Sequence, residues 1–514
     1  MNKTLIVPAL LACSGAASPT AAPDVFFNSA YDHVLGTSLG LKIGTGSRAA
    51  ADRAQLAALR EIDRLSRILS SWDSKSEFSQ WTRSHGEAIR VSPELFDVLG
   101  LFDRWRVRTD GAIDPAAQAV IAAWTCAAER QRVPTSGELA TALGLVRQPH
   151  WRLNMADGTA TRLSKTPLVL ASFTKSYIMD RAVDAAMQIS GIDAVVLNLG
   201  GDIVVRGAVS EPIDIVDPKD NADNGTPLTQ ILVRDRAVAT SGDYRRGVDI
   251  DDVHFSHIVD PRTGMPAGDV ISSTVVAKNP ADAGALATAF SILTPAESQQ
   301  LAASMQGVDS LDYLIVEKNG RRTASAGWNQ LEAAALSRGL KTPGSDPGGR
   351  VFRPGNPAQA PWDATMELAI DFEIPQLGGG ALRPFIAVWI EDENKFPVRT
   401  LALWYHEDRF LTEFKSWYRA DRLRLMSETT SIVRTLGGAT KPPGKYSFKW
   451  DGKDQAGNFV KAGTYTVSVE SSREHGTYQI DRQVMTFTGK PQRLEFKPGS
   501  ELGPVTFDYK KIAK

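Results

Sequence analysis

Apolar residues in the first half of the chain recur at the three-to-four-residue spacing of a helix face. This spacing predicts an amphipathic helix over residues 50–69, whose apolar positions are Leu56, Leu59, Ile62, Leu65 and Ile68. A second helix is predicted over residues 93–106, because Ser92 suits an N-cap and Pro93 suits the first helical turn.

Continuous apolar runs and further periodic segments complete the first part of the chain. Strands are predicted over residues 194–197, 233–238 and 271–277, and helices over residues 180–190 and 281–293. Because helices and strands are mixed in this order, the pattern favours an α+β fold.

The pattern changes after residue 341. Residues 342–361 are dense in proline and glycine, which is typical of a linker between domains. The chain therefore divides into a first domain over residues 24–341 and a second over residues 362–514.

Alternating apolar and polar residues dominate the second domain. The alternation is clear over residues 367–374 and 385–390 and looser over residues 464–470, and turn residues separate these runs. We expect an all-β, immunoglobulin-like sandwich of roughly seven strands.

The first residues differ from everything that follows. A positive start at Lys3 precedes an apolar run that is shorter than the roughly 20 residues needed to span a bilayer, so residues 1–23 are predicted to be an export signal peptide. Cys13 follows Leu-Leu-Ala, which is typical of a lipoprotein processing site. Ordinary cleavage after Ala17 and an uncleaved leader remain alternatives.

Charge and cysteine content narrow the function classes. Lysine and arginine total 58 and aspartate and glutamate total 59, so charge gives no indication of a nucleic-acid partner or an anionic membrane surface. The other cysteine, Cys126, is predicted to be a small core residue.

Several polar segments could carry chemistry. The Gly-Gly turn before Asp202 lets a ligand approach the backbone, and the hydroxyls of Thr240 and Ser241 suit a phosphate. His257 precedes an Asp-Pro-Arg-Thr-Gly loop that places a carboxylate and a guanidinium near an imidazole. Lys175, at the start of a helix, suits an anionic ligand.

Each of these segments also has a purely structural interpretation. The glycine segments could be tight turns, and Lys175 could form a surface ion pair with Asp180 or another neighbouring residue. His254 and His257 have a spacing seen in zinc sites, but no third histidine or cysteine pair accompanies them.

Five segments of the first domain form an ordered set: Leu35–Thr37, Ser70–Ser79, Thr109–Pro115, Lys175–Arg181 with Asn198–Asp202, and Thr240–Pro266. Block by block they resemble the bacterial FAD:protein FMN transferases, the ApbE flavin transferases, over about residues 31–294. The second domain resembles an uncharacterised family of exported bacterial domains that are sometimes fused to flavin transferases.

The resemblance implies a function and a set of site residues. Members of the family use Mg²⁺ and FAD, and they attach FMN through a phosphoester to a threonine of a target protein, with AMP as the leaving group. His257 would be the acid/base residue. The residues that would shape the flavin nucleotide pocket are Thr37, Trp72, Asp114, Lys175, Asp202, Thr240, Ser241 and Asp260.

One departure from the family pattern concerns the metal. The family binds Mg²⁺ with an Asp-x-x-x-Thr pair and with a backbone carbonyl, and here Thr288 and the carbonyl of Thr174 match two of these ligands. The aspartate position is Gly284, and Asp282 lies about 200° away around the helix. The family's Ala-Lys-Gly is Thr-Lys-Ser here, ending at Ser176.

Two functions therefore remain open. The first is an active FMN transferase in the bacterial periplasm, with a lipid anchor on Cys13 and a partner protein that presents an acceptor threonine. The second is a catalytically impaired FAD-binding relative that acts as a periplasmic flavin-binding or assembly protein. Within the chain, Thr440 ends a segment similar to a flavinylation motif, although a plain loop is the alternative.

Overall fold

The computed structural model describes residues 25–219, 227–242, 247–250, 253–305, 311–339, 361–376, 383–406, 408–428, 437–473 and 477–512. The predicted signal peptide with Cys13 lies outside these residues, as does the predicted linker except for Pro361. In the described part of the chain, no helix combines the length and the apolar character that crossing a membrane requires.

The first part of the chain alternates strands with helices. Its strands are β1 (Phe26–Val34), β2 (Thr37–Gly44), β3 (Ala88–Arg90), β4 (Trp151–Asn154), β5 (Thr159–Arg162), β6 (Ala194–Leu199), β7 (Asp202–Gly207), β8 (Glu211–Ile215), β9 (Thr229–Val233), β10 (Ala237–Gly242), β11 (Gly247–Ile250), β12 (Val253–Ser256), β13 (Val270–Ala277), β14 (Asp312–Glu317) and β15 (Arg322–Ala324).

Its helices are α1 (Arg48–Leu69), α2 (Glu77–Trp81), α3 (Pro93–Arg108), α4 (Gln118–Ala128), α5 (Ser136–Val146), α6 (Thr174–Met187), α7 (Pro280–Ile292), α8 (Pro295–Ser304) and α9 (Trp328–Gly339). The predicted cap of α3 is confirmed, since the Ser92 side chain accepts a hydrogen bond from the Leu95 N–H and Pro93 begins the helix.

An antiparallel sheet forms the centre of this part. Its described strands follow the order β1-β2-β6-β7-β10-β13-β14-β15. Along β6 the side chains alternate between two cores: Leu197 packs into the cluster shared with α1, α6 and α7, and Val196 packs into the opposite cluster with Trp328 of α9. The predicted α+β fold is confirmed.

Helix α7 consists mostly of residues with small side chains and is deeply buried. It starts at an N-cap, Asn279, whose side chain accepts from the Ala281 and Asp282 N–H groups. Buried alanines line much of its length, so neighbouring elements can approach its backbone closely. It packs against α6, β10 and β13, and these contacts bring the candidate site together.

Three predictions for this part need correction. The strand predicted over 233–238 is interrupted, because β9 ends at Val233 and Asp235 adopts a positive φ of 48° in the turn before β10. The helix predicted to begin at residue 180 begins six residues earlier, at Thr174. Cys126, predicted to be in the core, is exposed on α4.

The second part of the chain is a β-sandwich, as predicted, but nine strands are described in it instead of roughly seven. Its strands are β16 (Met366–Ile374), β17 (Phe385–Glu391), β18 (Pro397–Trp404), β19 (Gly437–Gly438), β20 (Gly444–Trp450), β21 (Gly463–Ser472), β22 (Tyr478–Phe487), β23 (Gln492–Phe496) and β24 (Val505–Lys511). The described strands form one sheet in the order β20-β16-β24-β23 and another in the order β19-β18-β17-β21-β22. Apolar side chains from both sheets form the core between them.

Two helical segments that the sequence pattern did not predict cover one sheet of the sandwich. They are a 3₁₀ helix (Asp408–Glu413) and α10 (Lys415–Glu428). Phe414 and Trp417 pack on Phe385 and Trp389 of β17, so this strand is buried on both faces and does not alternate between core and solvent. Helix α10 begins where the Glu470 carboxylate accepts from the Trp417 N–H at 2.7 Å.

Candidate active site

A two-glycine turn between β6 and β7 forms one wall of the candidate site. Gly200 and Gly201 both have positive φ, 62° and 98°, which only glycine adopts without strain. The Gly200 N–H donates to the Ser38 carbonyl at 3.0 Å, so the turn sits against the start of β2, where Thr37 lies. The predicted Thr37 and Gly-Gly segments are therefore neighbours in space.

Asp202 links three elements immediately after this turn. Its Oδ2 lies 2.8 Å from Lys175 Nζ, which projects from the first turn of α6. Its Oδ1 accepts from the Thr240 N–H at 3.3 Å. The Asp202 side chain is largely buried, whereas about a third of the Lys175 side chain is exposed, so the lysine keeps access to solvent. Lys175 thus forms an ion pair, but with Asp202 and not with Asp180, whose partner is Arg206 at 2.8 Å.

The hydroxyl-rich end of β10 faces the small residues of α7. Thr240 Oγ1 and Thr274 Oγ1 of β13 are 3.0 Å apart. The Ser241 carbonyl accepts from Ser291 Oγ of α7 at 3.5 Å. Thr240 and Ser241 thus lie between Asp202 and α7, while the rest of their predicted segment, Asp243–Arg246, lies outside the described residues.

The start of α6 is notable for buried hydroxyls without partners. Thr174 is 5% exposed and Ser176 is 2% exposed, and neither hydroxyl oxygen has a hydrogen-bond partner among the described residues. An unsatisfied buried hydroxyl costs about 1–3 kcal/mol, so a site that retains two of them is expected to satisfy them with a ligand or with water. The helix also has no side-chain cap at Phe173.

Trp72 lies in a loop tied to the segment before α6. Ser71 Oγ accepts from the Leu170 N–H at 2.8 Å, which connects the two segments. The Trp72 side chain is 81% exposed, which is unusual for a tryptophan and leaves its ring free to stack on a planar ligand.

His257 lies in the loop after β12, and the Asp260–Gly264 turn follows it. The Asp260 carboxylate accepts from the Arg262 backbone N–H at 2.8 Å and pairs with the Arg262 guanidinium at 2.9 Å. A Cβ on Gly111 would lie 3.6 Å from Arg262 Cγ, so this turn contacts the Thr109–Pro115 segment. Because its oxygens are engaged within the turn, Asp260 is placed to shape the loop that carries His257.

Asp114 lies in a separate buried cluster. Its Oδ2 is 2.8 Å from Arg106 Nε, and its Oδ1 accepts from the Ala116 N–H at 2.8 Å. Burial raises the pKa of Asp114 to about 6. The neighbouring His150 lies 3.8 Å from this carboxylate, and burial, together with the charge of Arg106, lowers the pKa of His150 to about 4.

The residues at the predicted metal position supply neutral oxygens. Thr288 Oγ1 donates to the Gly284 carbonyl at 3.0 Å, which leaves its lone pairs available, and the Thr174 carbonyl is at the start of α6. Asp282 is half-buried within electrostatic reach of Arg108 and Arg104 of α3, which fits its position on another face of α7. In the described ranges no three His, Cys, Asp or Glu side chains cluster as a metal site.

This donor set does not fit a resident Mg²⁺ ion. Mg²⁺ is usually held by one or two carboxylates together with water and substrate phosphates. The three oxygen donors from Thr174, Ser176 and Thr288 carry no formal charge, so any Mg²⁺ here has to obtain its negative ligands from a bound phosphate.

The structure also bears on the candidate acceptor within the chain. Thr440 is 0% exposed and its hydroxyl is buried. A buried hydroxyl cannot attack a nucleotide held by another site unless the sandwich opens, so the loop interpretation is the correct one for Thr440.

Sequence reasoning missed the role of Ser176. The change from Ala-Lys-Gly to Thr-Lys-Ser and the loss of aspartate at Gly284 were each visible, but only the fold shows that these two positions touch. It also missed Thr274 and Ser291, which hold the end of β10. The run of three consecutive hydroxyl residues in β13, Ser272–Thr274, was the available signal.

Two models of known families match the chain. The model of the ApbE family matches residues 35–311, which is more than half of the chain. A second model, described as a predicted periplasmic protein (DUF2271), matches residues 367–504.

Several curated proteins are similar to the first part of the chain. An FAD:protein FMN transferase of Treponema pallidum (strain Nichols) is 30% identical over 292 residues, covering 52% of this chain and 80% of that protein. An FAD:protein FMN transferase of Chlamydia trachomatis is 28% identical over 325 residues, covering 61% of this chain and 96% of that protein.

Solved structures show the same fold. The crystal structure of the ApbE protein from Thermotoga maritima superposes with a TM-score of 0.53 at 24% identity, covering 60% of this chain and 99% of that one. The flavin transferase ApbE from Vibrio cholerae superposes with a TM-score of 0.50 at 22% identity, covering 60% of this chain and all of that one.

Proposed function

Because this chain belongs to the ApbE family, we propose that it is an FAD:protein FMN transferase. One observation carries the proposal: Lys175, Asp202 and Thr240, far apart in the sequence, are held together beside the Gly200–Gly201 turn. A cation, backbone that allows close approach and uncapped helix N–H groups suit the diphosphate of a dinucleotide.

The proposed reaction is a phosphoryl-type transfer. The hydroxyl oxygen of an acceptor threonine attacks the phosphorus of the FMN half of FAD. The bond from this phosphorus to the bridging oxygen breaks, and AMP leaves with that oxygen. The threonine proton moves to His257, so the products are the FMN–threonine phosphoester, AMP and a protonated imidazole.

The described residues have distinct roles in this proposal. Lys175, oriented by Asp202, attracts and positions the diphosphate. Thr240 and Ser241 offer hydroxyls to the nucleotide, and the Asp260 turn positions the loop of His257. Mg²⁺, bound together with the diphosphate, would offset the negative charge of the phosphates.

The acceptor and the location of the reaction also belong to the proposal. The acceptor is a partner protein that presents a threonine in a flavinylation motif. We place the reaction in the periplasm, because the second part of the chain matches a family described as periplasmic. The signal peptide is proposed to export the chain, with lipidation of Cys13 as its anchor. Labelling with a fatty acid, lost in Cys13→Ala, tests the anchor.

A direct assay separates the two candidate functions. The protein is incubated with FAD, Mg²⁺ and an acceptor that carries a flavinylation motif, and covalent flavin is detected by in-gel fluorescence. We expect a fluorescent acceptor with the parent chain, and none with His257→Ala or with an acceptor whose threonine is replaced by valine. FAD binding without transfer by the parent chain would instead support the impaired relative.

A further inference from the structure

Ser176 of α6 and Gly284 of α7 are in direct contact. A Cβ at position 284 would lie 2.5 Å from Ser176 Oγ and 3.3 Å from both Ser176 Cβ and Phe173 Cα. The first distance is shorter than any normal carbon–oxygen contact, so a side chain at 284 requires Ser176 to move. The backbone of Phe173 limits the space on the other side.

The contact connects two departures that are far apart in the sequence. The family pattern has glycine at the position of Ser176 and aspartate at the position of Gly284. In this chain the arrangement is reversed: the α6 position carries a side chain, Ser176, and the α7 position carries none, Gly284. The Ser176 hydroxyl occupies the volume from which an aspartate side chain would begin.

The exchange changes the charge of the site. Lys175 and the N-terminal end of α6 both favour anions, and Asp202 is already paired with Lys175 at 2.8 Å. The oxygens of Ser176, Thr174 and Thr288 are neutral. A free divalent cation therefore finds no unpaired carboxylate among these three donors, whereas a diphosphate would bring negative charge that Lys175 and the N-terminal end of α6 favour.

We infer that Ser176 and Gly284 form one coupled exchange that removes the fixed carboxylate, so that this chain binds Mg²⁺ only together with the diphosphate of FAD. The inference rests on the proposed function for the identity of the nucleotide. The unpartnered hydroxyls of Thr174 and Ser176, 5% and 2% exposed, would be available to form hydrogen bonds with water molecules that such an ion carries. Binding of FAD and binding of Mg²⁺ are consequently coupled.

A set of variants tests the inference without relying on transfer activity. The variants are Ser176→Gly, Gly284→Ala, Gly284→Asp and the two doubles that combine Ser176→Gly with each change at 284. The melting temperature of each purified variant shows how well the contact between positions 176 and 284 packs. Calorimetry with MgCl₂ in the absence of FAD measures the Mg²⁺ affinity that a carboxylate at position 284 provides. Gly284→Ala is the matched control, since it adds the Cβ without the charge.

The inference predicts a specific pattern. Gly284→Ala and Gly284→Asp each lower the melting temperature by about 4 °C or more, and Ser176→Gly restores at least half of each loss. The parent shows no Mg²⁺ binding below about 1 mM without FAD, whereas Ser176→Gly/Gly284→Asp binds Mg²⁺ at least tenfold more tightly, and Ser176→Gly/Gly284→Ala does not.

Two outcomes would overturn the inference. One is micromolar Mg²⁺ binding by the parent without FAD. The other is additive effects on melting temperature, with no rescue by Ser176→Gly. If the proposed function alone were wrong, the melting pattern and the gain of Mg²⁺ binding would remain while FAD failed to bind to the parent.

Discussion

Thr37 packs directly on the backbone of Gly200, so closely that a Cβ at position 200 would lie 2.6 Å from Thr37 Oγ1 and 2.9 Å from its Cγ2. The neighbouring Gly201 has open space where its Cβ would be, although its φ is also positive. The turn before Asp202 therefore depends on glycine for two separable reasons. Both Gly200 and Gly201 have a positive φ, and Gly200 alone is also in close contact with Thr37.

Alanine substitutions at the two glycines of this turn should lower the free energy of unfolding by unequal amounts. A left-handed conformation costs a residue with a side chain about 1–2 kcal/mol, which applies to both Gly200→Ala and Gly201→Ala. Gly200→Ala also meets Thr37, so we expect it to lower the free energy of unfolding by at least about 1 kcal/mol more. Urea denaturation measures both values. In a Thr37→Ala background the difference should shrink, and equal costs in the parent background would contradict the assigned contact.

Replacement of Lys175 should weaken FAD binding without a matching loss of stability. Lys175→Met removes the cation proposed to face the diphosphate, and we expect FAD affinity to fall about tenfold, or about 1.4 kcal/mol. The dependence of affinity on salt should fall with it. Lys42→Met is the matched control, since Lys42 pairs with Glu211 at the same 2.8 Å and is similarly exposed.

Fluorescence titration of FAD at two salt concentrations measures these effects. An equal loss of affinity in Lys42→Met and Lys175→Met would mean that the Lys175 effect comes from a weakened sheet. Unchanged affinity in Lys175→Met would remove this lysine from the nucleotide site.

Much of the fold in the first part of the chain follows from local patterns. The α1 periodicity and the Ser92–Pro93 start of α3 are local signals, and the structure agrees with them within two residues. The strand predicted over 233–238 failed, because Asp235 supplies a turn that residues other than glycine rarely form. Local apolar character does not reveal a single backbone angle.

The candidate site shows where sequence reasoning ends. Pairing of Lys175 with Asp202, instead of Asp180, depends on how α6 lies over the sheet, and no spacing rule gives this placement. The contact of Ser176 with Gly284 depends on the close approach of α6 and α7. Strand β17 likewise looked half-exposed because the helical cover over Trp389 comes from a later segment.

Trp72 offers a test that separates binding from folding. Its side chain is 81% exposed, so Trp72→Ala should change the free energy of unfolding by no more than about 0.5 kcal/mol. Loss of stacking on a flavin or adenine ring should weaken FAD binding by about 1 kcal/mol, or roughly fivefold.

Met155→Ala is the control for Trp72, because Met155 is 83% exposed, lies on the β4–β5 turn and is not among the predicted pocket residues. It should affect neither stability nor FAD affinity. Unchanged FAD affinity in Trp72→Ala would exclude Trp72 from the pocket.

His150 and Asp114 should give the protein two opposing dependences of stability on pH. Burial lowers the pKa of His150 from 6.5 to about 4, so the folded state binds fewer protons than the unfolded state in this range. Its contribution to stability is present above pH 6.5 and is lost as pH falls towards 4. The neutral ring fits its partners, since one nitrogen lies 2.9 Å from Ser164 Oγ and the other 3.1 Å from the Val146 carbonyl.

The contribution of Asp114 to stability depends on pH in the opposite direction. Burial raises its pKa from 3.8 to about 6, so its contribution is complete below pH 3.8 and is lost as pH rises through 6. Because one pKa unit corresponds to about 1.4 kcal/mol, the contribution is at most about 3.5 kcal/mol for His150 and about 3 kcal/mol for Asp114. In the parent chain the two contributions largely offset each other between pH 4 and 6.

Single substitutions should expose each contribution in turn. Between pH 4 and 6, the free energy of unfolding of His150→Gln should fall relative to the parent as pH rises, because only the Asp114 contribution remains. Over the same range the free energy of unfolding of Asp114→Asn should rise relative to the parent as pH rises, because only the His150 contribution remains. Urea denaturation at pH 4, 5, 6 and 7 measures both slopes against the parent, which cancels the contributions of all other groups. Slopes of the same sign would show that the two side chains titrate as one coupled pair, in which the proton is shared and neither residue has an independent effect.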